Sequence, residues 1–364
     1  MNLRSQEEII KTWKGSMEEP LVSIICLAYN YEKFLPQAIE GVLMQKTSFP
    51  FELLIGVNPG SDNTPKIARS YAEKYPLIIK AVIREENIGA HRNFKDILSR
   101  AKGKYIAHCD ADDYWTDPAK LQKQFDILES NKSCAITFHE VEVHDFIYRQ
   151  SYYFVNEKNK KIYTLHDLCY KNFIPAPSIF YRNYSFDIPD EIEEIQASDW
   201  AYFILLAEKG DVYYLPDCMA VYRRHTSGAW SSMDRHLMAI KSVESMIKID
   251  ELAHGKYSQW ISHGIAMALY GVDQAILETY RDKINAKTYE ICRYIISNKT
   301  ILEKYLDKIN AKTYEIFRYI ISNKIIPVKY LDKIKVKTYE ICRYIIRNKN
   351  DVADYRNYKE QKAK

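Results

Sequence analysis

Glycine is scarce in this chain of 364 residues, 11 in all, and prolines number 12. So few backbone breakers exclude collagen-like, glycine-rich or proline-rich low-complexity organisation. The seven cysteines (26, 109, 134, 169, 218, 292 and 342) are odd in number and never spaced Cys-x-x-Cys. Neither a disulfide framework nor a cysteine zinc cluster follows from such a set. No apolar run approaches the roughly 18 residues that a membrane-spanning helix needs. The opening MNLRSQEEIIKTWKG carries acids and lacks an apolar centre, unlike a secretory signal. These absences predict a cytoplasmic protein.

Hydrophobic residues make up 47% of the chain and charged residues 27%, proportions of a globular protein with room for one large domain or two ordinary ones. The net charge is only +4, yet residues 281–355 hold 17 Lys and Arg against 9 Asp and Glu. A near-neutral to acidic body therefore carries a basic C-terminal region.

The first 120 residues alternate. Leu21–Ala28 is a continuous apolar run, the pattern of a strand buried on both faces. Phe34, Ala38, Val42 and Leu43 then recur at helical spacing up to Gln45. Further strands are expected at 51–57, 78–83 and from 104, with helices around Ile67–Tyr71 and over 92–100. Strand and helix in alternation predict a parallel sheet covered on both faces. Ligands of such sheets bind outside the carboxyl ends of the strands. Here those ends are Tyr29-Asn30, Asn58–Thr64, Arg84–Asn87 and Asp110–Asp113, four polar loops converging on one crevice.

The last loop is the most informative. The short apolar run Tyr105–Ala107 leads into Asp110-Ala111-Asp112-Asp113, three carboxylates within four residues. Like charges so close are tolerated beside a cation or in open water. A divalent-metal site fits them. An acidic turn capping the next helix, with Thr116 or Asp117 as cap and Pro118 at the first helical position, accounts for Asp117 but not for the other three.

Val22-Ser23-Ile24-Ile25, Ala28-Tyr29-Asn30, Gln45, Ser61-Asp62-Asn63-Thr64, Asn87-Ile88-Gly89, Ala101–Tyr105 and Asp110–Asp113 stand in one order. In that order they resemble the GT-A glycosyltransferases of family 2, over roughly residues 20–235. The resemblance implies a GT-A (Rossmann-like) mostly parallel sheet flanked by helices. It implies a nucleotide-sugar donor held by Ala28, Tyr29, Asn30, Asn58, Arg84, Asn87, Asp110, Ala111 and Asp112. Mn2+ or Mg2+ would sit on Asp112, Asp113 and His225, and the diphosphate against Arg223 and Arg224. Asp199, at the start of the apolar helix from Ser198 towards Gly210, matches the position of the family's general base; on spacing alone it is equally a helix cap. Trp200 is either a sugar-stacking acceptor contact or a core anchor, and Ser178 lies in the extended segment 175–182 beneath the acceptor. Two departures stand out: Leu27 where the family has Pro, and Asn58 where it has an Asp that binds the base. Asn58-Pro59-Gly60 is also plain turn chemistry. His108 reads as core.

The expected activity is inverting transfer of a hexose or N-acetylhexosamine from a nucleotide diphosphate sugar, UDP-sugar first, to a glycan or lipid-linked glycan acceptor of a bacterial surface polysaccharide or lipo-oligosaccharide. A sugar nucleotidyltransferase and a non-catalytic scaffold are the alternatives. Nucleic acid is not an expected partner.

The expected organisation is a lead-in at 1–20, a catalytic domain at 21–235 (nucleotide half 21–117, acceptor half 118–235), a helical linker at 236–280, repeats at 281–355 and a polar tail at 356–364. The repeats are near-copies of Asp282–Ile296 starting again at Asp307 and Asp332, a period of 25 residues. Each places Ile284, Thr288, Ile291, Cys292 and Ile295, or their equivalents, on one helical arc and charges on the other. Cys292 is replaced by Phe317 in the second copy, so it serves as apolar filler. Such helices either stack on the body and pair chains into homo-oligomers, or attach peripherally to an anionic membrane surface.

Overall fold

The computed structural model describes residues 3–16, 18–155, 160–184, 188–269, 272–283 and 286–297. They fall into two compact units, one formed by residues up to 168 with 172–194 and 198–232, the other by 169–171, 195–197 and the chain from 233.

The first unit is an α/β sheet with flanking helices. Its elements in order are α1 (Gln6–Ile10), β1 (Val22–Ala28), α2 (Leu35–Leu43), β2 (Phe51–Val57), α3 (Thr64–Lys74), β3 (Ile79–Ile83), α4 (Ala90–Ser99), β4 (Tyr105–His108) and β5 (Tyr114–Trp115). There follow α5 (Lys120–Ser130), β6 (Cys134–Asp145), β7 (Gln150–Tyr153), β8 (Ile162–Tyr163), α6 (Leu165–Tyr170), β9 (Phe180–Arg182), α7 (Ser198–Ala207) and β10 (Asp211–Arg224). The sheet runs β3-β2-β1-β4-β9-β6-β10-β5, with β7 on β6 and β8 on β10. β1, β2, β3 and β4 are mutually parallel, and β9 enters antiparallel between β4 and β6.

The apolar runs explain this arrangement. Every residue of β2 is buried and nearly every one of β1, because helices cover both faces of a parallel sheet. α2 buries Leu35, Ala38, Ile39, Val42 and Leu43, one stripe of a 3.6-residue period. The chain moves outward from β1 through β2 to β3, then returns to the other side of β1 with β4. That reversal is the topological switch point, and the crevice opens there.

Several expectations change in detail. The extended segment at 175–182 is a 3-10 turn at Ala176–Ser178 followed by the short β9. β10 stays one strand across Pro216 and Asp217, which bulge from the ladder with register shifts around Cys218. Tyr114 and Trp115 form β5 on β10, which folds the acidic loop back over the sheet. α5 begins at Lys120, after Pro118. Asp117 turns the chain ahead of it, accepting from the Ala119 N–H (2.7 Å).

In the second unit, α8 (Arg235–Leu252) is capped by Asp234, whose carboxylate accepts from His236 and Leu237 N–H. α9 (Ser258–Ala268), α10 (Gln274–Glu278) and α11 (Ala286–Ser297) follow. α11 is the first repeat copy; it buries Thr288, Tyr289, Ile291, Cys292 and Ile296. Burial pushes the Cys292 thiol up to about 12, as suits filler. The second and third copies lie outside the described residues. No helix among the described residues is long and apolar enough to cross a membrane.

Candidate active site

The first loop is set by Asn30, which adopts φ 57°, a conformation asparagine tolerates better than most residues. Its Oδ1 accepts from Ser61 N–H at 2.9 Å. A Cβ on Gly60 would stand 1.9 Å from that oxygen, so only glycine lets the two loops cross. Thr64 Oγ1 accepts from Tyr31 N–H (2.8 Å) and Asp62 from Glu32 N–H (2.8 Å). The expected motif Ser61–Thr64 thus locks the loop after β1 to the loop after β2.

The acidic loop is held from both ends. Ala111 N–H bonds the Leu27 carbonyl (3.1 Å), and Gln45 Nε2 bonds the Asp117 carbonyl (2.8 Å). Within the loop the three carboxylates diverge. Asp112 Oδ2 lies 3.1 Å from His225 Nε2, across 113 residues of sequence, and His225 Nδ1 lies 3.0 Å from Ser227 Oγ. Asp113 is buried and accepts from Arg223 N–H at 2.8 Å. Asp110 lies half-buried at the crevice. Of the three metal donors expected from the sequence, Asp112 and His225 meet, while Asp113 is turned to β10. Among the described residues no three His, Cys, Asp or Glu side chains form a preassembled cluster.

The charges show in the proton affinities. Burial, then Asp112 and Asp199, raise the Asp110 carboxyl to about 7. Burial and Asp112 push Asp113 well above the carboxylate range, against the Arg223 N–H. These groups gain from a nearby cation. The carboxylate–imidazole pair Asp112–His225 also suits a hard divalent ion that completes its shell with diphosphate oxygens. The residues present therefore fit the metal the resemblance implies.

Arg223 knits the site together. It donates to the Asp112 carbonyl (2.7 Å) and to Gln37 Oε1, and its guanidinium lies 5.0 Å from the Phe34 ring and 4.3 Å from Tyr114. Arg224, its neighbour on a strand, faces the other way and pairs with buried Asp145 (2.8 Å). Phe34 and Tyr31 pack on the His225 ring, with centroids 5.2 and 5.8 Å away. The Tyr31 proton is held far more tightly than usual, chiefly by burial and then by the charge of Asp112.

Asp199 sits in the first turn of α7, its Oδ1 accepting from Trp200 N–H at 2.8 Å. Burial raises its carboxyl above the usual range, and that N–H opposes the rise. It keeps a solvent-accessible surface, so the burial acting on it is that of a cleft wall and not of a sealed core. Its charge adds to the rise of the Asp110 carboxyl.

Other expected residues are placed as follows. Ala28 and Ala111 are buried at strand ends, and Tyr29 is exposed. Asn58 is buried and bridges to the next loop, donating to the Gly89 carbonyl (3.2 Å) and accepting from Ile88 N–H (3.4 Å). Arg84 is tied to Asn93 (3.0 Å) and Asp96 (2.7 Å), and Asn87 accepts from Gly89 N–H. Ser178 is fully buried, bonding the Pro175 carbonyl; Trp200 is buried with its Nε1 on the Leu168 carbonyl (2.7 Å). Neither presents a side-chain face to the crevice. His108 is core, its Nε2 3.0 Å from the Tyr181 hydroxyl and its proton affinity pulled down to about 3 by burial. Tyr31, Phe34, Gln37 and Tyr222 join the site without having been expected there. Tyr31 and Tyr222 each adjoin a motif residue, but no residue pattern marks Phe34 or Gln37.

Comparison with known proteins adds the following. The family model Glycosyl transferase family 2 matches residues 23–192. An uncharacterized protein of Mycobacterium tuberculosis, Rv1520, is 39% identical over 217 residues, 58% of this chain and 61% of its own length. The chain thus spans about three-fifths of that relative. The putative teichuronic acid biosynthesis glycosyltransferase TuaG of Bacillus subtilis is 37% identical over 121 residues, 33% of this chain and 46% of its own. Among solved structures, S. aureus TarS 1-349 in complex with UDP superposes with a TM-score of 0.52 at 16% identity, covering 74% of this chain and 80% of that one. That likeness shows the fold alone.

Proposed function

We propose, from the premise that residues 23–192 form a family 2 glycosyltransferase domain, that the protein moves a hexose or N-acetylhexosamine from a nucleotide diphosphate sugar to a glycan hydroxyl with inversion. The observation that carries this reading is the meeting of Asp112 and His225 at 3.1 Å at the switch point of the sheet.

Asp112 and His225 would hold a divalent cation, Mn2+ or Mg2+, which when bound offsets the charge of the departing diphosphate. Asp113 we assign to support: it fixes Arg223 through the strand backbone, and Arg223 fixes the Asp112 carbonyl. Tyr31 packs on the His225 ring and holds it against Asp112. Asp199 takes the proton from the acceptor hydroxyl as its oxygen attacks the anomeric carbon from the face opposite the diphosphate. Its raised proton affinity makes it a better base than an ordinary carboxylate, and the Trp200 N–H at the start of α7 holds it in place. Tyr29, exposed beside the loop after β1, offers a face to the nucleotide base. Asn58 acts indirectly by holding the loop 87–89. A UDP-sugar is the first donor to test, since the solved neighbour TarS was crystallised with UDP. TuaG's name places that relative in teichuronic acid synthesis, and a cell-surface polysaccharide is the acceptor class we favour. The basic repeats would keep the enzyme at the inner membrane surface where such acceptors lie.

The test is calorimetric titration of UDP, GDP, dTDP and CDP with and without Mn2+, on the wild type and Asp112→Ala. Metal-dependent binding of one nucleotide, lost in the variant, is expected. Absence of binding by all four overturns the reading in favour of a non-catalytic scaffold, and pyrophosphate release on turnover would make the protein a nucleotidyltransferase.

A further inference from the structure

A β-hairpin stands beside the site. β6 and β7 pair from Glu142↔Tyr153 to Asp145↔Gln150, and Phe146, Tyr148 and Arg149 lie in the turn between them. Phe146, Tyr148, Tyr152, Tyr153 and Phe154 all expose their side chains, Tyr148 by 64% and Tyr153 by 58%. Scattered exposed apolar residues are ordinary; here Tyr148, Tyr152 and Phe154 share the face of the sheet that carries Tyr222 and Arg224, while Tyr153 points to the other.

The turn is rigid. Asp145, itself buried, accepts from Ile147 and Tyr148 N–H, both at 3.0 Å, and from Arg224 at 2.8 Å. The hairpin is also continuous with the crevice. Phe146 N–H bonds the Arg224 carbonyl (2.9 Å), and the next residue is His225. On β10 the side chains of Tyr222 and Arg224 share one face and those of Arg223 and His225 the other. Tyr222 lies with its ring 6.3 Å from Phe154, and Arg224 lies 6.0 Å from the Tyr148 ring. The charges of Asp113, Asp112 and Asp199 all act on the Tyr222 hydroxyl. A path of aromatic faces therefore runs from beside Asp199, through Tyr222, to the hairpin tip.

We propose that the hairpin of residues 144–154 is an extended acceptor subsite that binds an oligosaccharide, with sugar faces stacked on Tyr148, Tyr152 and Phe154, the rings on the Tyr222 and Arg224 side of the sheet. This rests on the glycosyltransferase reading above. Rigid rings present area at low entropic cost, and tyrosine hydroxyls match sugar hydroxyls. Charge decides against a bilayer. With Glu140 and Asp145 buried, residues 140–155 expose one acid, Glu142, and one base, Arg149, whereas attraction to anionic lipid takes clustered Lys and Arg.

The experiment compares full-length wild type with Tyr148→Ala/Phe154→Ala, both sites exposed and outside the catalytic residues. Cello-, chito- and malto-oligosaccharides of two to six units are titrated and followed by ligand-observed NMR. Affinity that rises with chain length and falls about tenfold in the variant, by loss of two stacked faces, is expected. UDP binding with Mn2+ should stay unchanged. Failure of every oligosaccharide to bind, or equal binding by both proteins, overturns the proposal. So does hairpin-dependent binding to phosphatidylglycerol vesicles, or a dimer that dissociates in the variant. Oligosaccharide binding without any nucleotide binding would instead sink the transferase reading and leave a glycan-binding surface.

Discussion

Lys120 is fully buried, and its substitution by methionine gives a prediction whose size follows from the structure. Its ammonium bonds Gln124 Oε1 at 2.8 Å and lies 4.0 Å from the centre of the Trp115 ring. No carboxylate is among these partners. Burial therefore lowers its proton affinity from 10.5 to about 7. In the unfolded chain the group keeps its ordinary value. Below pH 7 both states are protonated, and the folded protein bears the whole cost of a buried charge. Between 7 and 10.5 the unfolded state binds the extra proton, so stability rises with pH as the folded lysine sheds its charge. The full cost is about 5 kcal/mol, and about 1 kcal/mol remains at pH 9.5. Lys120→Met removes this dependence while keeping a side chain of similar length. Urea denaturation of both proteins at pH 6 and pH 9.5 should show the stability difference shifting in favour of methionine by about 3 kcal/mol at the lower pH. Parallel stabilities at the two pH values would refute the reasoning and mean that an opposite charge neutralises Lys120 in the folded protein.

Three further outcomes are expected. Asp199→Asn should lower kcat about a hundred- to ten-thousandfold with donor affinity unchanged, measured by steady-state kinetics alongside UDP titration. His225→Ala should weaken nucleotide binding in Mn2+ but not in its absence; equal loss in both conditions would speak for packing against Tyr31 and Phe34 instead. Arg224→Ala strands the buried Asp145 carboxylate and should cost about 3–5 kcal/mol in chemical denaturation, with the hairpin opening first by hydrogen exchange.

Much of the frame is legible in the sequence because it rests on periodicity. β1, β2 and β4 are covered by helices on both faces, so their sequences are continuous apolar runs. The loops at their carboxyl ends must then share one side of the sheet, and the order of strands and helices alone puts the acidic loop there. The site's wiring is less legible. Asn58 looks like a base contact until its amide is seen holding Gly89 and Ile88. Ser178 sits next to an apolar strand, and nothing local says that its hydroxyl turns inward to Pro175. In β10, Pro216 and Asp217 are breakers by type, yet a bulge absorbs them within one strand.

The run Arg223-Arg224-His225 shows why side-chain roles outrun motif reading. As a string it is one basic cluster, apt in every member for a diphosphate. Laid on a strand it divides by parity. Arg223 and His225 face Asp112, and Arg224 faces Asp145 and the hairpin. Which of the two sets meets the acidic loop depends on the register of β10 against β6, Arg223↔His144 and Arg224↔Asp145. That register follows two irregularities earlier in the strand, at Leu215–Cys218 and at Cys218–Ala220. Removing one bulge residue, by deleting Asp217, would slip the following strand by one position and exchange the two faces. Arg224 would then face the acidic loop and His225 would leave it. A single deletion far from the carboxylates is thus expected to abolish metal-dependent nucleotide binding as completely as Asp112→Ala. If binding survived, the bulge would have to re-form from a neighbouring residue, and the pairing of Asp112 with His225 would owe more to the acidic loop than to the strand.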